Sequence, residues 1–223
     1  MIAKALAEHG LIARGGFRFA DGDTPPAGPS GQPAQSVVLV GSAGAAYWTH
    51  FTDWRSRQPV DPGDPLDSWS RQVIGAVALQ AGARLVMPND RPYAPFQQWA
   101  MRAEGLRPSP LGILMHPDYG LWHAYRGALL FDDDVEDFDS PPAPKQNHPC
   151  DACVDKPCMT ACPVDAHGER GFAYEACLGH VRSALGEPCR ATGCLDRNAC
   201  PVGTAYRYPA EIQAFHQRAF AGA

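Results

Sequence analysis

Cysteine is missing from the N-terminal part of the chain, where no Cys residue precedes Cys150. This absence excludes disulfides and thiolate metal sites from that part of the molecule. All eight cysteines instead lie between Cys150 and Cys200. The chain is therefore divided into a cysteine-free part and a short cysteine-rich part.

The sequence also lacks an excess of basic residues and any long apolar run. It has 19 Lys and Arg residues against 24 Asp and Glu residues, with a formal net charge of −5. Binding to nucleic acid relies on clustered cations, so it is not expected. The apolar runs are shorter than the roughly 20 residues of a membrane-spanning helix. Residues 1–14 also lack the apolar core and cleavage site of a secretory signal, so we expect a soluble, cytoplasmic protein without a disulfide framework.

Apolar spacing in the cysteine-free part predicts a mixture of helices and strands. Residues 2–14 carry apolar side chains at helical spacing before a glycine pair, which predicts a helix. The β-branched run Ser36–Gly41 predicts a buried strand. Helices are expected around residues 47–54, after Asp64-Pro65 and over residues 96–103. These features indicate an α/β unit.

Two further apolar segments, residues 111–116 and 121–131, flank a short turn that contains Pro117 and Gly120. Both segments are rich in apolar residues, and turn residues separate them. The pattern therefore predicts a pair of consecutive strands that form a hairpin.

An acidic stretch followed by a proline-rich stretch separates the two parts of the chain. Asp132–Asp139 is mostly acidic, and Ser140-Pro-Pro follows it. Such composition is typical of a solvated linker. We therefore expect one domain over residues 1–135, a linker over 136–147, a second domain over 148–208, and a C-terminal helix over 209–223 that packs back.

The cysteines form two similar runs. The first is Cys150-x2-Cys153-x4-Cys158-x3-Cys162-Pro, and the second is Cys177-x11-Cys189-x4-Cys194-x5-Cys200-Pro. Each run has three cysteines and then a Cys-Pro pair. Groups of four thiolates indicate a metal site, and a pair of zinc sites is one alternative because zinc also binds four cysteines.

The two runs resemble the layout of a two-cluster bacterial ferredoxin, although their spacings are looser. In such proteins each run supplies three thiolates to one [4Fe–4S] cluster, while its fourth cysteine binds the other cluster. The resemblance implies two ligand sets: Cys150, Cys153, Cys158 and Cys200 for the first cluster, and Cys162, Cys177, Cys189 and Cys194 for the second. The irregular second run leaves a single-cluster protein as an alternative.

A second stretch contains several residues that can take part in binding or catalysis. It is His116-Pro-Asp-Tyr-Gly-Leu-Trp-His-Ala-Tyr-Arg-Gly127. Histidine, tyrosine, tryptophan and arginine side chains are concentrated at a strand–turn–strand. They can line a cavity, or they can belong to a hairpin whose aromatic residues form core and whose charged residues reach solvent.

This stretch resembles the His-Pro-x-x-Gly-x-Trp-x-Ala-x-Arg-Gly segment of the CblC-type cobalamin-processing proteins. The resemblance implies a nitroreductase- or flavin-reductase-like α/β sandwich that binds vitamin B12 with its lower base detached and removes the upper axial ligand reductively. If the resemblance holds, the residues we predict as corrinoid contacts are His116, Tyr119, Gly120, Trp122 and Arg126.

The order of the parts is also similar to that of epoxyqueuosine reductases and reductive dehalogenases, which join a corrinoid domain of this fold to a ferredoxin module. The chain departs from epoxyqueuosine reductases in its cysteine spacing and shorter length, and from dehalogenases in lacking a twin-arginine export signal. Their substrates are therefore not carried over.

Together these features predict an α+β protein in which a corrinoid domain precedes a small ferredoxin-like iron–sulfur domain. The predicted activity is that of an oxidoreductase: an unidentified low-potential donor supplies electrons, two [4Fe–4S] clusters pass them to cobalamin cobalt, and the upper ligand leaves. The alternatives are a ferredoxin-type electron carrier, a corrinoid carrier without turnover and, from the fold resemblance alone, a flavin-dependent reductase.

Overall fold

The computed structural model describes residues 1–60, 62–135, 148–168 and 170–222, which form two compact units. The first unit contains Met1–Leu106 and the described residues from Ala124 to Val135. The second contains Arg107–His123 and the described residues from His148 onward. Residues 107–123, which the sequence assigns to the first domain, therefore group with the cysteine-rich part. The predicted linker over 136–147 lies outside the described residues.

The first unit is built on a four-stranded sheet with the order β1-β2-β6-β3. Its strands are β1 (Ile12–Arg18), β2 (Ser36–Ala43), β3 (Arg84–Val86) and β6 (His123–Phe131). Its helices are α1 (Ile2–Ala7), α2 (Trp48–Ser56), α3 (Pro65–Gln80) and α4 (Phe96–Glu104). Strand β1 is antiparallel to β2, and β3 is antiparallel to β6.

Burial of apolar side chains explains this unit. All the β2 residues from Ser36 to Ser42 are buried, as expected for a β-branched strand inside a sheet. Helix α3 begins at Pro65, where the missing amide hydrogen costs nothing. It buries Trp69, whose ring centroid lies 6.0 Å from that of Phe51 on α2. Aromatic contacts of this kind join the helices into one core.

The predicted helix over residues 2–14 is wrong, because α1 ends at Ala7 and β1 begins at Ile12. Gly10 makes the turn between them with a φ of +66°, which favours glycine. A Cβ at Gly10 would also lie 2.3 Å from the Ala46 carbonyl oxygen. The apolar residues after this turn pair in the sheet and do not extend the helix.

The predicted hairpin between residues 111–116 and 121–131 is also wrong. Strand β5 (Leu114–Met115) pairs instead with β4 (Arg107–Pro108), and β6 lies between β2 and β3 in the main sheet. A single bridge between His116 and Gly120 closes the turn. The sequence pattern located the strands and the turn but not the partners of the strands.

The second unit has little regular structure. Besides β4 and β5 it contains the short pair β7 (His167–Gly168) and β8 (Gly171–Phe172). Its helices are α5 (Tyr174–Arg182), α6 (Glu187–Thr192), α7 (Leu195–Ala199) and α8 (Ala210–Ala221). Helix α8 packs against α5 and α6. Because these helices and strands are short, contacts between side chains must stabilise much of the unit.

None of the helices in the described ranges has the length and apolar character needed to cross a membrane.

Candidate functional site

Four thiols line one small cavity in the second unit: those of Cys150, Cys153, Cys158 and Cys200. The cavity is lined mainly by apolar side chains, among them Met115 and Leu121. Cys158 and Cys200 are themselves buried in the same apolar cluster. The structure thus brings together the four cysteines that the ferredoxin resemblance implies as the first ligand set.

The pKa shifts of these thiols indicate the same group of four cysteines. Burial raises the pKa of the Cys150 thiol to about 11, and Cys200, Cys158 and Cys153 add to the rise. Burial also raises the pKa of Cys158, again with a contribution from Cys200. A neighbouring thiolate disfavours a second negative charge, so a bound cation would reverse these shifts.

A second group of thiols forms around α5 and α6. Burial raises the pKa of Cys177 to about 11, and the other contributing thiols are those of Cys194, Cys162 and Cys189. Cys189 is buried in a cluster with Val181, and Cys177 packs against it. These four cysteines are the second predicted set.

Each thiol set contains three cysteines of one sequence run and one cysteine of the other run. Cys200 ends the second run but lines the cavity of the first set, and Cys162 ends the first run but lies with the second set. Within the described residues, no group of three or more His, Cys, Asp or Glu side chains is arranged to hold a metal ion as it stands. The thiols of each set are near enough to affect one another's pKa without closing around a single point.

Backbone amides point to sulfur atoms in the second set. The amide of Ala166 donates to Cys162 Sγ over 3.4 Å. Burial raises the pKa of Cys194, while hydrogen bonds from the amides of Arg197 and Asp196 oppose the rise. Hydrogen bonds to sulfur are one of the means by which proteins set the potential of an iron–sulfur cluster.

Two residues in the cysteine-rich runs have strained backbones. Lys156, between Cys153 and Cys158, has a φ of +39°, and Asp165, after Cys162, has a φ of +48°. Left-handed conformations are costly for residues other than glycine and are concentrated at functional sites. The strain indicates that the positions of these thiols are imposed by the surrounding structure.

A buried carboxylate, which the sequence did not single out, lies near both sets. Asp196 is 1% exposed, and its Oδ2 atom lies 2.7 Å from Nδ1 of His167. Its charge contributes to the raised pKa of Cys158 in the first set and of Cys177 in the second. Its position two residues after Cys194 was the only sequence signal for it.

The first of the predicted corrinoid residues, His116, organises its own turn. Its Nδ1 atom accepts hydrogen bonds from the amides of Asp118 and Tyr119, at 3.0 and 3.1 Å. Its ring stacks on that of Tyr119 at a centroid distance of 4.0 Å, and Tyr119 meets Tyr206 edge to face. Both His116 and Tyr119 are partly accessible.

Gly120 fits closely against the segment that follows the last cysteine. It has a φ of +58°, and a Cβ there would lie 2.1 Å from the Val202 carbonyl oxygen. Gly203 meets the Tyr119 backbone equally closely. Only glycine permits such an approach between two backbones. Gly120 thus joins the turn to the end of the second cysteine run.

Trp122 is fully buried within the second unit. Its ring meets Tyr208 edge to face at 5.4 Å, and the guanidinium of Arg197 lies 4.5 Å from its centre. Arg197 also donates to the Leu121 carbonyl oxygen at 2.5 Å. The ring thus joins the turn to helix α7, and Arg197 is a residue that the sequence did not indicate.

Arg126 belongs to the first unit, where its guanidinium lies 5.5 Å from the centre of the Tyr47 ring. Its Nε atom is buried, and no acceptor for it is found among the described residues. The five predicted corrinoid residues therefore fall into two units, with His116, Tyr119, Gly120 and Trp122 in the second.

A buried polar network adjoins β6 in the first unit and has no local sequence signal. Arg14, 2% exposed, donates to both carboxylate oxygens of Glu104 at 2.9 and 3.0 Å. Tyr125 donates to the same carboxylate, and its ring lies under the Arg14 guanidinium at 4.7 Å. Burial raises the pKa of Tyr125, with a further contribution from Glu104, so the phenol stays protonated.

The fold and the two thiol sets define an α+β protein with a cysteine-lined second unit. It has the fold of two solved structures, at an identity that shows the fold alone. The B12-trafficking protein CblC of C. elegans aligns with a TM-score of 0.56 and 13% identity, over 99% of this chain and 91% of that one. Epoxyqueuosine reductase of Streptococcus thermophilus aligns with a TM-score of 0.53 and 12% identity, over 93% of this chain.

The alignment covers 66% of the epoxyqueuosine reductase, so this chain spans just under two thirds of that protein. No protein-family model and no curated sequence matches the chain.

Proposed function

We propose that the chain is an iron–sulfur oxidoreductase that acts on a corrinoid. The observation that carries the proposal is the exchange of Cys162 and Cys200 between the two thiol sets. Two-cluster ferredoxins exchange the last cysteine of each run in the same way. The resulting sets account for all eight thiols.

The residues present fit iron–sulfur clusters in donor chemistry and surroundings. The first cavity offers four thiols in an apolar lining, and the second set receives amide hydrogen bonds at sulfur. When bound, a [4Fe–4S] cluster in each set supplies and accepts single electrons. The chain's own contribution is to hold the thiolates, keep water away from them and direct N–H groups at sulfur.

The corrinoid enters the proposal as the substrate. The fold is shared with a protein described as a B12-trafficking protein and with a reductase, which supports corrinoid handling and reduction together. We assign contacts with the corrinoid to His116 and Tyr119, which are partly accessible and lie in the same unit. Gly120 and Trp122 are buried and would act by fixing the turn.

The reaction we propose is reductive loss of the upper ligand. For a cyanide ligand, one electron converts Co(III) to Co(II), and cyanide leaves with the bonding electron pair. An external low-potential donor supplies that electron. A carrier without turnover, or a simple ferredoxin, remains the alternative function.

The ligand sets can be tested by iron counting on protein purified and reconstituted without oxygen. We expect about eight irons per chain with little zinc, and about four in either C158S or C162S. The double variant C162S/C177S changes one set only, so it should keep about four irons. The double variant C158S/C162S changes one sequence run but both sets, and it should keep almost none.

The opposite pattern in the double variants would show that each run binds its own metal and would overturn the crossed assignment. Stoichiometric zinc in place of iron and sulfide would favour the zinc alternative. Circular dichroism of every variant, compared with that of the parent chain, shows whether the chain still folds.

The corrinoid reaction is tested with cyanocobalamin and a chemical reductant under anaerobic conditions. Release of many cyanides per chain supports the oxidoreductase, whereas binding without release supports a carrier. No binding at micromolar cyanocobalamin or hydroxocobalamin excludes both. We expect Y119A to weaken binding, while L185A, which removes an exposed side chain of the same unit, should leave it unchanged.

A further inference from the structure

A large open cleft in the first unit is used by none of the chemistry above. Its volume is about 710 Å³, within the roughly 300–1,000 Å³ of small-molecule sites. The loop after β1, the segment between β3 and α4, and the first turns of α4 form its walls. All of its lining residues belong to the first unit. It contains no cysteine and none of the predicted corrinoid residues.

The inner wall of the cleft is aromatic. Phe19 and Trp99 meet edge to face at 5.9 Å, and both line the cleft. Tyr93, also in the lining, is 64% exposed, which is unusual for a large aromatic side chain. The Arg91 guanidinium lies 5.1 Å from the centre of the Tyr93 ring. The exposed Tyr93 ring is therefore available to a planar ligand, whereas Trp99, 6% exposed, supports the wall from within the core.

The cleft is lined by both acidic and basic side chains, and its two carboxylates are already paired with arginines. Asp23 accepts hydrogen bonds from Arg102 and from the Ala20 amide, both at 2.6 Å. Asp90 accepts hydrogen bonds from Arg71 at 2.5 Å and from the Met87 amide. Both carboxylates therefore have cationic partners already. The bond from Arg102 lowers the pKa of Asp23, so that carboxylate stays ionised and paired.

Two other arginines line the cleft, and one of them, Arg84, acts electrostatically on Asp90 and helps to lower the pKa of that carboxyl. Arg84 donates to a neutral group, the Ala27 carbonyl oxygen, at 2.6 Å. Arg91 contacts the ring of Tyr93. Neither forms an ion pair with a residue in the described ranges. The lining has three arginines against two aspartates, and in a chain with a net charge of −5 this surplus of positive charge indicates an anionic ligand.

Uncharged polar side chains lie in the lining between these features. Thr24 and Gln98 are exposed and have groups that bind hydroxyls. The lining thus offers a flat aromatic face, neutral hydrogen-bonding groups and cations. A ligand that matches all three has a planar ring, a hydroxylated linker and an anionic end.

We propose that this cleft binds a nucleoside monophosphate. The base contacts Tyr93, the sugar hydroxyls meet Thr24 and Gln98, and the phosphate is bound by Arg84 and Arg91. Arginine pairs with phosphate through two parallel hydrogen bonds, which makes Arg91 the main determinant of the charged end. The site does not depend on the proposed corrinoid chemistry, since no thiol or metal takes part.

Isothermal titration of the full chain with adenosine 5′-monophosphate tests the proposal. We expect micromolar binding, with adenosine and ribose 5-phosphate each at least about tenfold weaker, because each lacks one recognised part. R91A should weaken adenosine monophosphate binding about tenfold and adenosine binding little. Y93A should weaken adenosine monophosphate and adenosine alike.

R57A is the matched control, since it removes an exposed arginine of the same unit outside the cleft. Its affinity should equal that of the parent chain. Absence of adenosine monophosphate binding at millimolar concentration overturns the proposal. Binding that R91A and R57A reduce equally also overturns it, because the attraction would then come from overall charge. Arg91 and Tyr93 are exposed, and unchanged thermal midpoints of both variants verify that the unit remains folded.

Discussion

The two units of the chain are stabilised in different ways. The first has a sheet with a fully buried central strand, long helices and an aromatic core that includes Phe51 and Trp69. The second has short helices, two-residue strands and apolar clusters in which Cys158, Cys200 and Cys189 are members. Apolar burial therefore dominates the core of the first unit, whereas cysteine thiols take part in the apolar clusters of the second.

The largest expected effect is that of removing metal. If the thiol sets hold clusters, oxidation and chelation should unfold the second unit, because metal binding then supplies its folding free energy. The first unit should remain folded. Hydrogen exchange should show lost protection in α5–α8 and retained protection in β2 and α3. Unchanged protection of α5–α8 after complete metal loss would remove the contrast between the units.

The next effect concerns the aromatic core of the first unit. W69A should lower the free energy of unfolding of that unit by about 3–5 kcal/mol, because it leaves a cavity in a tightly packed core. Leu79 lies on the same helix but is 82% exposed, so L79A is the control and should change it by less than about 0.5 kcal/mol. The iron content should stay the same in both variants. Loss of iron in W69A alone would mean that the second unit depends on the first.

A smaller effect is expected at the buried ion pair of Arg14 and Glu104. E104Q removes the charge that compensates Arg14, and we expect a loss of about 2 kcal/mol in the stability of the first unit. Y125F removes one hydroxyl donor from the same carboxylate and should cost about 1 kcal/mol. Urea titrations followed by hydrogen exchange of β1 amides measure both. An equal cost for the two variants would show that the charge itself contributes little.

The smallest effect is the pH dependence of Asp23. Its pKa is lowered below 3.8, chiefly by the hydrogen bond from Arg102, so its stabilising contribution is present above that pH. The contribution is lost as the pH falls through the lowered value in the folded protein. D23N should therefore differ from the parent chain at pH 6 and converge with it in acid. A constant difference in thermal midpoint down to about pH 2 would contradict this.

The sequence predicted those parts of the molecule whose signals are local. The β-branched run from Ser36 predicts β2, and Asp64-Pro65 predicts the start of α3. Each of these two signals lies within a few residues of the feature that it specifies. The two cluster ligand sets that the ferredoxin resemblance implies stay a prediction, although the structure places the thiols of each set near one another.

The features that the sequence missed depend on contacts between distant residues. The predicted helix over 2–14 extends past Gly10 because apolar spacing does not reveal that a strand begins at Ile12. Arg14 and Glu104 are 90 residues apart, and Arg197 and Leu121 are 76 apart. No local pattern relates such pairs, so only the folded chain could reveal them.

The length of helix α7 limits the changes that the second unit can accept. This five-residue helix lies between Cys194 and Cys200, which belong to different thiol sets. With a rise of about 1.5 Å per residue, the helix fixes the distance between the two cysteines that flank it. An insertion in a surface loop is usually tolerated, but one added residue in α7 would rotate Cys200 by about 100° around the helix axis and shift both sets. We therefore expect α7 to resist changes in length, and its residues Asp196 and Arg197 to resist substitution because each makes contacts inside the unit.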